Sequence, residues 1–322
     1  MKRLVDCKVL VTATSYASQD ERLRTTLEEK VGEVVYNTTG KPLSSPQLQE
    51  LLPAVDGMIA GLDEIDSTAL ASAPELKIVA RYGVGYNNVD LEAARLHKII
   101  VTNTPGANTK SVAELTIALI LNLLRLVIPA VQMTKEGGWP RFKGISLQGK
   151  TVGLVGCGSI GKETARKLVG FDCEILAYDI FEDKIFASEQ GIHYVPLEEL
   201  LPKSDLVSLH IPGVPETEGL VNKDFLSKMK PGSYLVNTAR GELIDESALV
   251  SALQSRHLRG AALDVFQQEP PEVDNPLLKM DQVIVTPHMG AHSDSATNAM
   301  GWMALGECLA VLQGQKPKYR VV

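Results

Sequence analysis

The sequence predicts an α/β fold with two lobes. Short apolar runs typical of buried strands alternate with amphipathic helical segments, a pattern that indicates parallel sheets with crossover helices. At 322 residues the chain is long for one hydrophobic core, because single cores usually stop growing at about 250 to 300 residues. The turn signal Asn103-Thr-Pro-Gly106 then marks a predicted domain boundary.

The first lobe is predicted to hold five strands joined by helices. The predicted strands are residues 9–11, 34–36, 57–60, 78–80 and 99–101, with helical patterns such as 21–30 and 91–97 between them. The segment 294–313 is also helix-like, ends before Gly314, and could return the chain to this lobe. The predicted first domain is therefore discontinuous, 1–102 with 293–322.

The second lobe, 103–292, is predicted to be a doubly wound sheet of six strands. These are residues 152–155, 175–178, 206–210, 234–237, 261–263 and 283–286. Before them, Ser111-x-x-Glu114 forms a capping box that predicts a helix running to about residue 128. Pro129 limits that helix, although 130–136 could resume helical structure before two glycines stop it.

A glycine-rich turn follows the first predicted strand of this lobe. Its glycines are Gly156, Gly158 and Gly161, and a helix-compatible run follows them. Glycines at this spacing allow a tight turn and a close backbone approach to a pyrophosphate at a helix N-terminus. We therefore expect these glycines, with Ser159 and Ile160, to bind a dinucleotide. A turn that only packs strand against helix is the alternative.

An acidic residue ends the next predicted strand. Asp179 lies 23 positions after Gly156, where a carboxylate can accept hydrogen bonds from ribose hydroxyls and would repel a 2′-phosphate. Lys184 is the first nearby cation, so Asp179 is not followed directly by an arginine that could bind a 2′-phosphate. The sequence predicts NAD rather than NADP.

Composition and charge favour an ordinary globular protein. Hydrophobic residues make up 44% and charged residues 22%, and the net charge of −7 with no basic stripe argues against a general nucleic-acid partner. Asp6 and Lys8 interrupt what would be the apolar part of a signal peptide after Met1-Lys-Arg. The apolar run 112–128 is short and contains charges. We therefore expect a cytoplasmic protein without a membrane partner.

The cysteines and histidines do not have metal-ligand spacing. The four cysteines, at 7, 157, 173 and 308, also lack the density of a disulfide scaffold, so reduced thiols and no metal are expected. Cys157 lies within the glycine turn near a predicted helix N-terminus. Its alternative role is a redox-sensitive thiol with a lowered pKa.

Several further motifs occur in order along the chain. They are ARYGVGYNNVD at 80–90, NTPGAN at 103–108, SVAE at 111–114, HIP at 210–212, NTARG at 237–241, LDVFQQEP at 263–270 and PHMG at 287–290. With the glycine turn, they make the chain resemble the D-isomer-specific 2-hydroxyacid dehydrogenases, particularly their phosphoglycerate dehydrogenase-like branch, over nearly the whole length. The resemblance implies a Rossmann cofactor domain, a smaller flavodoxin-like substrate domain and a cleft between them. It also implies a homodimer built partly by residues 111–149.

The resemblance implies a catalytic trio of Arg240, Glu269 and His288. Reduction of a 2-oxo acid places negative charge on the carbonyl oxygen, so a proton donor and a cation are required. His288 can donate the proton, and Glu269 beside it would favour the imidazolium form. Arg240 offers a planar fork for the substrate carboxylate.

Further binding residues are expected around this trio. Backbone amides of Gly83, Val84 and Gly85 could hold the substrate carboxylate, because glycine lets the main chain approach a ligand, and an ordinary turn is the alternative. By resemblance, the cofactor site also includes His210, Thr238, Ala239, Asp264, Gly290 and Ala291. Asp264 is expected to contact the nicotinamide carboxamide, with a capping or turn role as its alternative.

The expected reaction is reversible hydride transfer between NAD(H) and a small 2-oxo or 2-hydroxy acid. Phosphoglycerate dehydrogenases commonly carry an arginine and a serine after the third strand, where this chain has Ala60-Gly-Leu-Asp63. A phosphate needs charge-assisted donors, which makes hydroxypyruvate or glyoxylate alternatives to a phosphorylated substrate. From a different class, an NAD(H)-sensing corepressor-type scaffold of the same fold is the second hypothesis, although the chain lacks long disordered extensions.

Overall fold

The computed structural model describes residues 2–322, so Met1, the first residue of the basic start Met1-Lys-Arg, lies outside the described residues. The chain divides into two compact units. One contains the residues up to Asn108 together with Ala291–Val322, and the other is Thr109–Gly290. The functional division predicted at 102/103 and 292/293 stays a prediction.

The first unit contains a five-stranded parallel sheet. Its strands are β1 (Lys8–Val11), β2 (Glu33–Tyr36), β3 (Gly57–Ala60), β4 (Ile78–Arg81) and β5 (Ile100–Thr102), in the order β2-β1-β3-β4-β5. Its helices are α1 (Arg22–Lys30), α2 (Ser45–Leu51), α3 (Ser67–Ala71), α4 (Leu91–Leu96) and α12 (Asp294–Leu312). The five strands confirm the predicted ones to within a residue, and their order is that of flavodoxin-like sheets.

Both faces of this sheet are buried because successive strand residues point to opposite sides. On β1, Val9 and Val11 share a core with Leu27 of α1 and with α12. Leu10, between them, packs in a second core with Leu48 of α2. The continuous apolar runs in the sequence follow from this two-sided burial.

The second unit contains a seven-stranded parallel sheet. Its strands are β6 (Thr151–Val155), β7 (Glu174–Tyr178), β8 (Ile192–Tyr194), β9 (Leu206–Leu209), β10 (Ser233–Asn237), β11 (Leu258–Leu263) and β12 (Val283–Val285), in the order β12-β11-β10-β9-β6-β7-β8. Its helices are α5 (Thr109–Arg125), α6 (Val127–Lys135), α7 (Ser159–Val169), α8 (Lys184–Gln190), α9 (Leu197–Lys203), α10 (Lys223–Lys228) and α11 (Glu246–Gln254). The predicted count of six strands is wrong, because β8 forms a seventh at the edge.

This sheet is doubly wound. Leu154 of β6 packs with Ile120 of α5 and Leu168 of α7 on one face. Val155, the next residue, packs with Leu200 of α9 on the other face. The strand order reverses at β6, which lies between β7 and β9. In open α/β sheets, ligands bind at the carboxyl ends of the strands at such a switch point.

The long apolar segment after residue 108 forms two helices instead of one. The helix α5 begins at Thr109 and ends at Arg125, and Leu126 then adopts a left-handed conformation (φ 57°) before α6. Pro129 accounts for the break, because a proline ring inside a helix clashes with the carbonyl four residues earlier, here that of Arg125. The predicted capping box at Ser111 is wrong, since Ser111 lies within the first turn of α5.

No single helix in residues 2–322 is long and apolar enough to cross a membrane. The helices α5 and α6 reach the necessary length and hydropathy only as a pair, and they are bent by 64° at their break.

Candidate active site

Three neighbouring strands of the second unit end where the predicted catalytic residues begin. The strands β10, β11 and β12 are adjacent and parallel. Arg240 follows β10, Glu269 follows β11 and His288 follows β12. Because the carboxyl ends of parallel strands meet at one edge of a sheet, the fold brings these three residues together.

His288 and Glu269 form a direct pair. The Nδ1 atom of His288 lies 2.6 Å from Oε2 of Glu269, and Oε1 of Glu269 accepts a hydrogen bond of 3.1 Å from the Phe266 N–H. Burial acts to raise the pKa of the Glu269 carboxyl, but the hydrogen bond and charge of His288, with the charge of Arg240, hold that pKa below its ordinary value. The carboxylate is therefore available as an anionic partner for the imidazole.

The loop that carries His288 is anchored on Asp264, which is buried. The Asp264 carbonyl accepts from the His288 N–H at 2.8 Å. Its Oδ1 accepts from Met289 N at 2.9 Å and from the Thr286 hydroxyl, and its Oδ2 accepts from Gly290 N at 2.8 Å. Asp264 thus has the turn role that the sequence left as an alternative, and its predicted contact with nicotinamide stays a prediction.

A second anchor comes from the start of α5. The Ser111 hydroxyl donates to the Gly290 carbonyl at 2.7 Å, and both residues belong to the second unit. A Cβ on Gly290 would lie 3.1 Å from Asp264 Oδ2 and 3.3 Å from Val112 Cγ2, so the glycine fits between the two anchors. Sequence analysis missed this role of Ser111, because its partner lies 179 positions away.

The turn that carries Arg240 is fixed through its backbone. The Asn237 side chain donates to the Arg240 carbonyl at 2.8 Å and accepts from the Ala239 N–H at 3.0 Å. Gly241 packs so closely against the backbone of Phe266 that any side chain on it would overlap that backbone. The Phe266 N–H also donates to Glu269. The packing of Gly241 against Phe266 therefore connects the turn that carries Arg240 to the turn that carries Glu269. This role of Gly241 was also missed in the sequence.

The glycine turn fits a dinucleotide. Gly156 adopts a φ of +97°, and a Cβ there would lie 2.6 Å from the His210 carbonyl carbon. A Cβ on Gly161 would overlap the Gly156 carbonyl oxygen, whereas a Cβ on Gly158 would meet no atom within 4 Å. Gly156 and Gly161 are thus required by packing, and Gly158 leaves the backbone open to a ligand at the N-terminus of α7, which begins with Ser159.

The carboxylate of Asp179 lies against this turn. Its Oδ2 accepts from Cys157 N at 2.6 Å and its Oδ1 accepts from Phe181 N at 2.9 Å. Each oxygen keeps a second lone pair for a ribose hydroxyl. Burial raises the pKa of the Cys157 thiol, which is 2% exposed, so the alternative of a reactive thiolate at this position is wrong.

Two other predicted cofactor residues, the partly buried His210 and the buried Thr238, lie beside the switch point. Burial lowers the pKa of His210 to about 4; its Nε2 lies 3.0 Å from the Ser208 hydroxyl, and its buried Nδ1 has no hydrogen-bond partner among the described residues. The Thr238 hydroxyl lies 2.8 Å from that of Thr116 on α5. His210 is therefore a neutral ring with one nitrogen unused, whereas Thr238 ties β10 to α5.

The remaining predicted residues belong to the first unit. Gly83, Val84 and Gly85 follow β4, where the Gly83 carbonyl accepts from Thr104 N at 3.0 Å and the Val84 carbonyl accepts from the Asn103 side chain at 2.8 Å. Ala291 is the first residue of the chain after the second unit. Their ligand roles stay predictions. Across residues 2–322, no group of three or more histidine, cysteine, aspartate or glutamate side chains could hold a metal ion.

Comparisons with known proteins identify the family. A family model described as the NAD-binding domain of D-isomer-specific 2-hydroxyacid dehydrogenases matches residues 117–290. A glyoxylate reductase of Thermofilum pendens is 39% identical over 299 residues, which cover 90% of this chain and 88% of that protein. A D-3-phosphoglycerate dehydrogenase of Mycobacterium tuberculosis is 42% identical over 265 residues, 80% of this chain but only 50% of that protein.

A solved structure extends the likeness to nearly the whole fold. The D-lactate dehydrogenase of Aquifex aeolicus, in complex with NAD and lactic acid, is 28% identical, with a TM-score of 0.84 over 98% of this chain and 99% of that one. The match of the family model to more than half of the chain agrees with the strand order and with the glycine turn. The chain therefore belongs to the D-isomer-specific 2-hydroxyacid dehydrogenases, which are NAD-dependent oxidoreductases acting on CH–OH groups.

Proposed function

We propose that Arg240, Glu269 and His288 catalyse the interconversion of a small 2-oxo acid and its D-2-hydroxy acid. The observation that carries this proposal is the 2.6 Å contact between His288 Nδ1 and Glu269 Oε2, within reach of the charge of Arg240. NAD, when bound, supplies or accepts the hydride. Proton transfer and charge stabilisation are left to the three side chains.

His288 supplies the proton of the new hydroxyl group. Its Nδ1 atom is engaged by Glu269, so Nε2 is the ring nitrogen that can donate to the ketone oxygen. Glu269 stabilises the imidazolium form, because a carboxylate beside an imidazole favours its positive charge. In the oxidation direction, the neutral ring accepts the proton from the substrate hydroxyl.

Arg240 binds the substrate carboxylate. Its guanidinium can form two parallel hydrogen bonds to a carboxylate, and its positive charge also stabilises negative charge that develops on the reacting oxygen. For the first unit, we propose that the backbone amides of Gly83, Val84 and Gly85 also bind a substrate carboxylate. The glycine turn, with Asp179 at the adenosine ribose, holds the cofactor.

A small acid without a phosphate group, such as glyoxylate or hydroxypyruvate, is the preferred substrate. After β3, Asp63 is fully buried and its carboxylate accepts from Leu43 N at 2.8 Å and from Gly61 N at 2.9 Å. Leu62, next to it, is 45% exposed. The segment from Gly61 to Asp63 thus offers a substrate an apolar side chain and no cation, which disfavours a phosphate. The name of the Thermofilum relative supports the same choice.

The protein acts as a cytoplasmic homodimer. The helix α6 exposes Val127, Val131 and Met133, and the segment after it exposes Trp139 and Phe142. Contiguous exposed apolar surface marks an interaction site, and a twofold dimer covers it by pairing the same patch on both copies. The four cysteines are free thiols, which supports a reducing compartment. Light scattering tests the dimer, and Val131→Asp is expected to yield monomers.

A substrate panel tests the proposed reaction. Purified protein is assayed with NADH and NADPH against glyoxylate, hydroxypyruvate, pyruvate and phosphohydroxypyruvate. We expect turnover with NADH and a higher kcat/KM for the unphosphorylated acids. His288→Ala should abolish reduction and leave the Kd for NADH unchanged. If the wild-type protein turned over none of these acids, the result would contradict the proposal and favour the corepressor-type scaffold. The relatives reported above, which are named as dehydrogenases and reductases, do not support that scaffold.

A further inference from the structure

The side chain of Arg240 runs past a glycine of another loop. Gly213 lies between β9 and α10, and a Cβ placed on it would lie 3.1 Å from Arg240 Cγ. The same Cβ would overlap the carboxylate of Glu242. The stem of Arg240 and the carboxylate of Glu242 therefore occupy the space that a side chain at position 213 would need.

The loop that carries Gly213 cannot easily move away. The Thr217 hydroxyl donates to the Pro212 carbonyl at 2.7 Å and accepts from Val214 N at 3.0 Å, which closes the loop on itself. At its far end, Gly219 N donates to the Glu242 carbonyl at 2.9 Å. The loop is thereby tied to the same turn that it covers.

The backbone of Arg240 is fixed on its other side. Gly241 packs against the Phe266 backbone, and the Asn237 side chain holds the Arg240 carbonyl. The guanidinium Nη1 donates to the Ala239 carbonyl at 2.6 Å. With both ends of the residue restrained, contact with position 213 decides where the middle of the stem lies.

We propose that Gly213 is a positioning residue for Arg240. Its missing side chain lets the arginine stem and the Glu242 carboxylate lie side by side, and this packing directs the guanidinium toward the substrate carboxylate. The inference rests on the proposed function of Arg240. A methyl group at position 213 overlaps the Glu242 carboxylate and moves the arginine stem by a few tenths of an ångström. Since a misplacement of about 1 Å can lower rates about a hundredfold, this smaller shift should have a smaller effect.

Gly213→Ala tests the proposal. We expect the KM for the 2-oxo acid to rise about tenfold, because the methyl group moves the residue that binds the substrate carboxylate. The Kd for NADH, measured by fluorescence titration, should stay within about twofold of wild type. Gly306→Ala, in α12, is the matched control, since a Cβ there would meet no atom within 4 Å. A parallel rise in the Kd for NADH would overturn the proposal, because the loop would then act on the cofactor.

Two double variants show whether the effect passes through Arg240. In an Arg240→Ala background, Gly213→Ala should change KM no further, since the side chain that it displaces is gone. Adding Glu242→Ala to Gly213→Ala should recover part of the loss, because the methyl group gains the space of the carboxylate. Additive effects with Arg240→Ala would contradict the proposal.

The outcomes separate this inference from the proposed function. If Arg240→Ala leaves KM unchanged, the substrate-binding role of Arg240 is wrong. If Arg240→Ala raises KM but folded Gly213→Ala behaves as wild type, only the positioning role of Gly213 is wrong. If Gly213→Ala fails to unfold cooperatively, the Gly213→Ala/Glu242→Ala variant replaces it, and its KM must exceed that of Glu242→Ala alone.

Discussion

The Oδ2 atom of Asp264 accepts a hydrogen bond of 2.8 Å from the backbone N–H of Gly290, two residues after His288. The other carboxylate oxygen accepts from Met289 N and from the Thr286 hydroxyl. One buried side chain therefore determines the path of the loop that presents the imidazole. His288 itself adopts a φ of +50°, which is uncommon for a residue with a side chain and needs such external support.

Asp264→Asn should lower kcat more than it alters the Kd for NADH. An amide group has one oxygen instead of two, so one of the backbone N–H groups of Met289 and Gly290 would face another donor. We expect a loss of about 1–3 kcal/mol in the free energy of unfolding, measured with urea, and a misplaced imidazole. Thr286→Val is the control, since it removes one donor and keeps both backbone contacts. Equal effects of the two variants on kcat would argue against a positioning role for Asp264.

Glu269→Gln should lower kcat for reduction and leave the Kd for NADH unchanged. The pKa of the Glu269 carboxyl lies below its ordinary value of 4.5, so the residue is an anion throughout the neutral range. Without that anion, Nδ1 of His288 loses the carboxylate that lies 2.6 Å from it, so the ring is less well oriented for proton transfer. The measurement is kcat and the Kd for NADH of wild type and variant at neutral pH. An unchanged kcat would contradict the assigned partnership.

The same carboxylate should make the free energy of unfolding depend on pH. Because its folded pKa is depressed, Glu269 stabilises the fold above its ordinary pKa, and this contribution is lost as pH falls through the folded value. The difference in free energy of unfolding between wild type and Glu269→Gln should therefore shrink below about pH 4.5. A constant difference from pH 7 to pH 3 would assign the effect to packing instead of charge.

Most of the fold could be predicted from the sequence, because both sheets are buried on two faces and their strands are continuous apolar runs. The edge strand β8 was not predicted, because it has only three residues and His193 in its middle is exposed. The start of α5 was misplaced for another reason. Ser111 has the residue type and spacing of a cap, but its hydroxyl bonds to Gly290 from the far end of the chain.

The catalytic trio was also predictable, although only through the resemblance. Its supporting residues were not, since the roles of Gly213 and Gly241 depend on which backbone or side chain faces them. Asp264 shows the same limit. The sequence placed it next to the active-site loop, but only the structure shows four atoms of that loop directed at it.

His210 should make the protein less stable in mild acid. Burial lowers the pKa of His210 to about 4, below its ordinary value of 6.5. Between these two pH values the unfolded chain binds a proton that the folded chain does not, so the free energy of unfolding falls as pH decreases through this window. The expected contribution is on the order of 3 kcal/mol. Urea unfolding at pH 7 and pH 4.5 should show a smaller decrease for His210→Gln, and an equal decrease would contradict the neutral state of the folded ring.

Asp179→Ser should shift the cofactor preference toward NADPH. Asp179 is held against the glycine turn by its 2.6 Å hydrogen bond from Cys157 N, and its charge would repel a 2′-phosphate at the adenosine ribose. We expect the ratio of kcat/KM for NADPH to that for NADH to rise at least about tenfold, a change of about 1.4 kcal/mol. Asp183→Asn is the matched control, because it removes the same negative charge four residues further along the chain. Asp183 pairs there with Lys162 at 2.5 Å. If both variants shift the ratio alike, general electrostatics and not the ribose contact sets the preference.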